Sequence, residues 1–434
     1  MVRAVPMNIS DQAPEKKRND LFLPEKEWVK ALSGRPICIR TFGCAYNVGD
    51  SDLLASVLTA SGSVIVSDPE LAEVMIINTC IVIASTERKM LKEISSYPDH
   101  EVYVTGCLPL ALPESLQEHT TVKLIHPDSI HRAAATVSYD QKGPVSVVQI
   151  GPGCVGSCRY CITRCARGSI RSNSPHQIYS HIASCVRGGA VEIRLAGQDL
   201  SAYGHDTGQW SLATLLEGIP ALPDITRIRL GMMNPATLKP IAQRVARTMN
   251  NGPFFSFLHL PIQSGSDHVL DLMGRGYTVA DVQNIIDIFR AEMSDITIAT
   301  DIITGFPGET DDDHEETVRL IRRIAPGMVN VTRYSWRPGT GMSRDHELPD
   351  RIRKERSRAI IRESYTMFQK ANEKMKGAVM RVIPTEQLKP GSVMARSERY
   401  EGVVIREECQ LGIPCMVTIT GSTPHYLIGE VIRD

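Results

Sequence analysis

The segment GPGCVGSCRYCITRCARG, Gly151 to Gly168, sets Cys154, Cys158, Cys161 and Cys165 in the order C-xxx-C-xx-C-xxx-C within a loop rich in glycine and arginine. Thiols at the first three spacings, directly after an apolar run, can wrap three irons of a cubane iron–sulfur cluster. The fourth iron would then have no protein ligand and stay open to the polar groups of a small molecule. Gly151, Gly153 and Gly156 would let the loop fold tightly enough for backbone amides to approach the sulfides. A structural zinc would need a fourth donor, normally with paired CxxC spacing. Cys165 is the available one, but it falls on the helix expected to follow and should point away. Disulfides are disfavoured: the chain has 11 cysteines, an odd number, and its start shows no secretory leader.

A second set is spread through the sequence. Cys44 follows IRTFG, Cys80 follows MIINT and Cys107 follows VYVTG. Each comes directly off an apolar run of strand length. Parallel strands end on one sheet edge, where ligands bind, so three strand-end cysteines would converge there as a metal site. The plain alternative is that small apolar cysteines finish buried strands.

The elements that must position these residues follow from periodicity. From about Arg35 to Pro127, PICIRTFG, VMIINT and EVYVTG alternate with the amphipathic DSDLLASVLTASG and STERKMLKEISS. This is the pattern of an α/β domain with a mostly parallel sheet, with Asp50 or Ser51, and Ser85 or Thr86, as helix N-caps. From Val145 to Tyr334, six runs (VSVVQIG, VEIRLAG, ITRIRLGMM, FFSFLHL, ITIATDIITG, MVNVTRY) predict an incomplete β/α barrel with chemistry at the strand carboxyl ends. A helix follows from Asp350 to about Lys376, with Ile361, Tyr365 and Phe368 as its apolar stripe. Its excess of basic side chains is either a solvated face or an RNA contact. From Gly377 onward, period-two patterning in AVMRVIP, RYEGVVIRE and PCMVTITG predicts a small β-barrel. The expected divisions are a polar tail over 1–34, ordered from about Phe22, then 35–140, 141–370 and 371–434.

Composition is that of a globular protein: 42% apolar and 22% charged residues, with a formal net charge of −1. No apolar run is long enough to span a bilayer, so no membrane partner is expected and the default compartment is the cytoplasm. The net charge gives no support to nucleic-acid binding, so any RNA contact must rest on local basic groups such as Arg159, Arg164, Arg167 and Arg171.

Read together, TFGCAYNVGDSD, INTC, VTGC, GCVGSCRYCIT, ARGS, LAGQDLSAYG, HLPIQSGSD, DIITGFPGET and VTRYSWRPGT resemble the radical S-adenosylmethionine methylthiotransferases. The last module is similar to their TRAM domain. The likeness runs from about Pro36 to the C-terminus in the family's order. The cluster loop is most similar to the archaeal and eukaryotic branch, which acts on N6-threonylcarbamoyladenosine beside the tRNA anticodon. The resemblance implies two 4Fe-4S clusters, one on Cys154, Cys158 and Cys161, the other on Cys44, Cys80 and Cys107. It also implies two uses of S-adenosylmethionine: as methyl donor to sulfur, and as source of a radical that takes the hydrogen from carbon 2 of adenine. No side-chain base reaches such a hydrogen, so the chemistry is borne by the cofactors and no catalytic side chain is assigned. Gly197, Gln198 and Asp199 would hold the methionine amino group, unless Asp199 only closes an Asx turn. Gln263 and Ser264 would contact ribose or carboxylate. Asp301 to Glu309 would close over adenine, with Gly305 allowing close approach, and His259 would be structural. Arg333, Tyr334 and Arg337 would contact substrate RNA, or close the barrel by a salt bridge. The reductant and sulfur donor are not identified by the sequence. Rival readings keep the chemistry but act on isopentenyladenosine or a ribosomal-protein aspartate, or drop it for a zinc-stapled RNA-binding protein.

Overall fold

The structure, a computed structural model, describes residues 20–82, 84–119, 121–137 and 143–433. The first residues of the polar start and the expected division at 140/141 lie outside these. Glu25–Leu32, expected as tail, is a helix. Its Trp28 and Leu32 stand at i and i+4 and are fully buried, and the Trp28 indole donates to Ser129 Oγ at 3.0 Å.

The first sheet is parallel, in the order β2-β1-β3-β4-β5, built from β1 (Pro36–Thr41), β2 (Val64–Val66), β3 (Val74–Thr79), β4 (Glu101–Gly106) and β5 (Lys123–Leu124). All six residues of the central β3 are buried, which is why VMIINT reads as a continuous run rather than an alternation. The helix after β1 begins at Ala45, with Cys44 in the N-cap position. Asp50 and Ser51 are therefore not caps. They lie inside the helix on a buried polar face whose partners come from other elements. The helix after β3 begins at Ala84, before the expected cap at Ser85 or Thr86.

On this sheet Glu101 ties β1, β4 and β5 together, accepting hydrogen bonds from Arg35, Tyr103 and Lys123. Partial burial opposes its ionisation, but Lys123, Arg35 and Tyr103 outweigh burial and hold its pKa down to about 2. With the folded pKa below the unfolded one, this network stabilises fully above about pH 4.5 and fades as pH falls toward 2. Urea unfolding of Glu101→Gln should accordingly lose less stability between pH 5 and pH 3 than the parent, in side-by-side titrations.

The second unit has two three-stranded parallel sheets: β6 (Val145–Gln149), β7 (Glu192–Ala196) and β8 (Arg227–Leu230), then β9 (Phe257–His259), β10 (Thr297–Thr304) and β11 (Met328–Arg333). Parallel bridges Ile228↔Phe254 and Met232↔His259 join them, giving a six-stranded partial β/α barrel. Ile193, Leu195, Ile228, Leu230 and Leu258 face the outer helices in one large core. The alternate residues line the lumen. On the open side, Tyr46 of the Ala45–Ala60 helix packs against Val147 and Ala196, so the first unit walls the lumen of the second.

The helix Asp350–Glu373 buries Arg356, Ser357, Ile360, Ser364 and Phe368. Of the expected stripe only Phe368 is buried; Ile361 is half-buried, and Tyr365 is exposed and meets His425 edge-on. The real stripe was hidden because it contains Arg356, which is buried by pairing with Glu309 at 2.6 Å. The last unit is a closed barrel, β12-β13-β14-β16-β15, from β12 (Val379–Lys389), β13 (Ser392–Ser397), β14 (Gly402–Ile405), β15 (Cys415–Ser422) and β16 (Leu427–Val431). Its β13–β14 turn inserts Tyr400, at φ 64°, against Phe255, Phe257 and Ala299 beneath the lumen. The fold is thus mixed α/β with a C-terminal all-β barrel, and no helix among the described residues is long and apolar enough to cross a membrane.

Candidate functional site

Cys44, Cys80 and Cys107 stand at the carboxyl ends of β1, β3 and β4. The backbone at Gly43, φ 108°, comes so close to Cys80 that a Cβ there would lie 2.7 Å from the Cys80 Cβ and 3.0 Å from its sulfur. Only glycine lets the strand ends close up in this way. Cys44 is exposed, whereas Cys80 and Cys107 are buried. Burial pushes the Cys80 thiol up and that of Cys107 to about 11, with the neighbouring cysteines adding to the rise.

Cys154, Cys158 and Cys161 follow β6. A Cβ at Gly156 would meet Cys154 Sγ at 3.3 Å and Cys158 Sγ at 3.6 Å, and the Gly156 amide donates to Cys154 Sγ at 3.2 Å. Burial raises the Cys154 thiol to about 11 and raises Cys161 as well. Cys165 lies on the short helix Thr163–Arg167, packs against the apolar cluster around Cys107 and Leu108, and donates to Gly339 O at 3.5 Å.

Two buried guanidiniums attend these thiols, and neither was assigned a sulfur contact from sequence. Arg275 donates to Cys158 Sγ at 3.0 Å, to Asn234 Oδ1 at 3.3 Å and to Pro261 O at 3.2 Å. Arg167, on the loop of the second triad, reaches the first: it donates to Cys107 Sγ at 3.4 Å, Asn47 Oδ1 at 3.0 Å and Asp50 Oδ2 at 2.6 Å. Asp50, 1% exposed, also receives Gln149 at 2.7 Å and pairs with His131 at 2.8 Å. Burial opposes its ionisation, but Arg167 and His131 outweigh burial and keep its carboxyl below the usual range. The two cysteine triads are therefore joined through one side chain.

Among the described residues, no three Cys, His, Asp or Glu side chains converge closely enough to share one metal ion. A structural zinc takes four donors, and each triad supplies three cysteines. A cubane is wider than an ion and takes each thiolate on a different iron. Each triad offers three thiols and a buried guanidinium, and the second adds an amide on Cys154 Sγ, donors of the kind that stabilise cluster thiolates.

The remaining expected site residues fall in several places. Gly197 to Asp199 follow β7 beside the cysteine loop, but the side chains turn inward. Gln198 Oε1 accepts from the Gly153 amide at 2.6 Å and so pins the loop. Asp199 accepts from Ser201 Oγ at 2.7 Å, Thr237 Oγ1 at 2.8 Å and the Asn234 amide at 3.1 Å. That is the Asx turn, with the carboxylate fully engaged by the protein. Gln263 is held at φ 71° in a bridge to Ile302, a strained position at the strand ends. Ser264 is buried against Thr317 at 3.3 Å. Asp301 meets His259 Nε2 at 3.0 Å and accepts from Asn330 at 2.8 Å. His259 receives Arg229 on its other nitrogen at 3.4 Å, so both ring nitrogens are engaged. Arg353 of the Asp350–Glu373 helix approaches Gly305, φ 71°, closely.

The RNA-contact assignments change more. Tyr334 is 4% exposed and stacks edge-on with Phe306 at 5.0 Å. Arg337 is buried in an ion pair with Glu87 of the first unit. Only Arg333 is open to solvent, and it pairs with Asp350 at 3.3 Å. Of the loop arginines, Arg171 makes a two-bond pair with Asp128 at 2.7 and 3.0 Å, while Arg159 and Arg164 donate to the carbonyls of Leu272 and Gly156. All four tie the loop down.

Residues 148–321 match the family described as the Radical SAM superfamily, and residues 36–126 match the uncharacterized protein family UPF0004. A probable threonylcarbamoyladenosine tRNA methylthiotransferase of Pyrococcus abyssi is 36% identical over 424 residues, covering 91% of this chain and 99% of the relative. The human threonylcarbamoyladenosine tRNA methylthiotransferase is 29% identical over 433 residues, 92% of this chain and 74% of the relative. Among solved structures, a radical S-adenosylmethionine methyltransferase from Kitasatospora setae is similar at TM-score 0.48 and 13% identity, over 83% of this chain and 80% of that one. With over a third of its residues shared along nearly the whole length of the Pyrococcus protein, the chain belongs to the threonylcarbamoyladenosine tRNA methylthiotransferase family of radical SAM proteins.

Proposed function

We propose that this chain attaches a methylthio group to carbon 2 of N6-threonylcarbamoyladenosine in tRNA. The likeness to the Pyrococcus relative, end to end at 36% identity, carries the reading. Radical SAM membership brings S-adenosylmethionine and one 4Fe-4S cluster; Cys154, Cys158 and Cys161 are the residues to hold that cluster. Cys44, Cys80 and Cys107 are the residues to hold a second. Bound there, these groups supply the one-electron chemistry and the sulfur that no side chain can provide.

The protein's own part is orientation and exclusion of water. Gln198 fixes the cysteine loop through the Gly153 amide, and Arg275 holds Cys158 against Asn234 and Pro261. Arg167 sets the spacing between the triads by bonding to Cys107 and Asp50 at once. Tyr46 and Tyr400 close the barrel at its open side and its floor.

The test is anaerobic incubation of the iron- and sulfide-reconstituted protein with S-adenosylmethionine, a reductant and tRNA carrying threonylcarbamoyladenosine, followed by nucleoside mass spectrometry. A methylthio product supports the reading. A product only from tRNA carrying isopentenyladenosine, or only from a ribosomal-protein aspartate, moves the substrate. A colourless protein that forms no 5′-deoxyadenosine defeats the enzyme reading altogether.

A further inference from the structure

In the lumen of the partial barrel, Arg194 of β7 and Arg229 of β8 are register partners. Their flanking residues Ile193, Leu195, Ile228 and Leu230 face the outer core, so both arginines turn inward on one face. Like charges side by side on adjacent strands repel, and the lumen neutralises them incompletely. Arg194 pairs with Glu192 at 2.6 Å, a carboxylate that also accepts from Tyr400 at 2.6 Å. Arg227 and Glu398 pair with each other at 3.7 Å. Arg229 has no carboxylate in ion-pair range among the described residues. It lies over the rings of Phe257 and Tyr400 at 5.0 and 5.5 Å and donates to His259, and its Nε has no partner among the described residues. Arg396 adds a further guanidinium over Tyr400 at 4.7 Å. Of the carboxylates nearby, Glu192 is shared by Arg194 and Tyr400, Glu398 pairs with Arg227, and Asp301 is already held by His259 and Asn330.

A fold that places a cation without its anion beside a second cation, in a polar lumen, is suited to an anionic ligand. Arg194 remains 30% exposed, so the lumen is reachable. Both arginines lie within their strands, deeper than Gln198 and Asp199, which sit past the end of β7 beside the cysteine loop. An adenine at the strand ends with its N6 substituent directed downward would bring that substituent here. Threonylcarbamoyl ends in a carboxylate, which a planar guanidinium can bind through two parallel hydrogen bonds. An isopentenyl group offers no charge to pair.

We infer that Arg194 and Arg229 receive the carboxylate of the threonylcarbamoyl group and so determine which N6-modified adenosine the enzyme accepts. This rests on the substrate reading above. The test is binding of the full-length protein to anticodon stem-loop RNAs that differ only in carrying threonylcarbamoyladenosine or plain adenosine. The parent should prefer the modified loop by about ten- to a hundredfold, the range for hydrogen bonds to a charged group. Arg229→Met should abolish that preference while leaving the affinity for unmodified loop in place. Methionine fits over Phe257 and removes a cation that lacks a carboxylate partner, so the fold should tolerate it. Arg194→Lys keeps the charge for Glu192 but loses the planar fork, and should reduce the preference several-fold.

S-adenosylmethionine also carries a carboxylate, so its affinity is measured by equilibrium dialysis on the same proteins. If Arg229→Met weakens S-adenosylmethionine and keeps the RNA preference, the pair serves the methionine carboxylate and the inference is overturned. It is equally overturned if the parent shows no preference, or if both variants keep it. A parent that methylthiolates only isopentenyladenosine would instead overturn the substrate reading, which the nucleoside assay detects separately.

Discussion

Alanine at Cys107 is expected to abolish methylthiolated nucleoside while 5′-deoxyadenosine still forms from S-adenosylmethionine. Alanine at Cys158 is expected to abolish both. The split follows from the placement of the triads. Cys107 ends β4 in the first unit, whereas Cys158 lies on the loop after β6 under Arg275. Losing a direct iron ligand should exceed the roughly ten- to hundredfold cost of losing an outer partner. Iron should fall from about eight to about four per chain in each variant if each triad holds one cubane. Cys107→Ala removes one buried sulfur from a cluster with Ile77 and Leu108, at a cost of about 1 kcal/mol, so the protein should remain folded for the comparison. Iron analysis, the visible spectrum and both products should be read on one preparation. Full iron in Cys107→Ala would remove the first triad from the reading.

Arg167→Ala should be the most damaging change outside the cysteines. It leaves Asp50 buried without its main counter-ion, and breaking such a pair costs about 3–5 kcal/mol. It also removes the donor to Cys107 and the cation over the Tyr46 ring at 4.9 Å. Iron retained by the first triad should drop about tenfold or more. Arg167→Lys separates the two losses. An ammonium can still neutralise Asp50 but cannot span Asp50, Asn47 and Cys107 together. Denaturation midpoints should therefore recover in the lysine variant while iron retention in the first triad stays low. Equal recovery of both would reduce Arg167 to a structural ion pair.

Much of this arrangement could be read from sequence because it is local. A cysteine straight after an apolar run lands at a strand end, and six such runs in series can hardly be other than parallel strands with crossovers. Elements that depend on distant partners were hidden. Glu25–Leu32 sits in a charged stretch and is a core element because Trp28 and Leu32 pack with Ile37, Leu54 and Ile130 and Trp28 finds Ser129. Asp50 resembles a helix cap until Arg167, His131 and Gln149 arrive from three other elements. Tyr334 and Arg337 look like an RNA platform in sequence; their burial depends on Phe306 and on Glu87. Arg275 carried no local signal at all, since its contact with Cys158 joins residues far apart in the chain.

Tyr400 also bears on the order in which the enzyme comes into being. A growing chain leaves the ribosome N-terminus first, and its domains fold largely in that order. Every cysteine of both triads has then been synthesised long before the β13–β14 turn that carries Tyr400. Until that turn arrives, the lumen has no floor and its arginines face water from below. The six cysteines thus precede the floor of the lumen in the order of synthesis, and the lumen closes only once the last unit has been made.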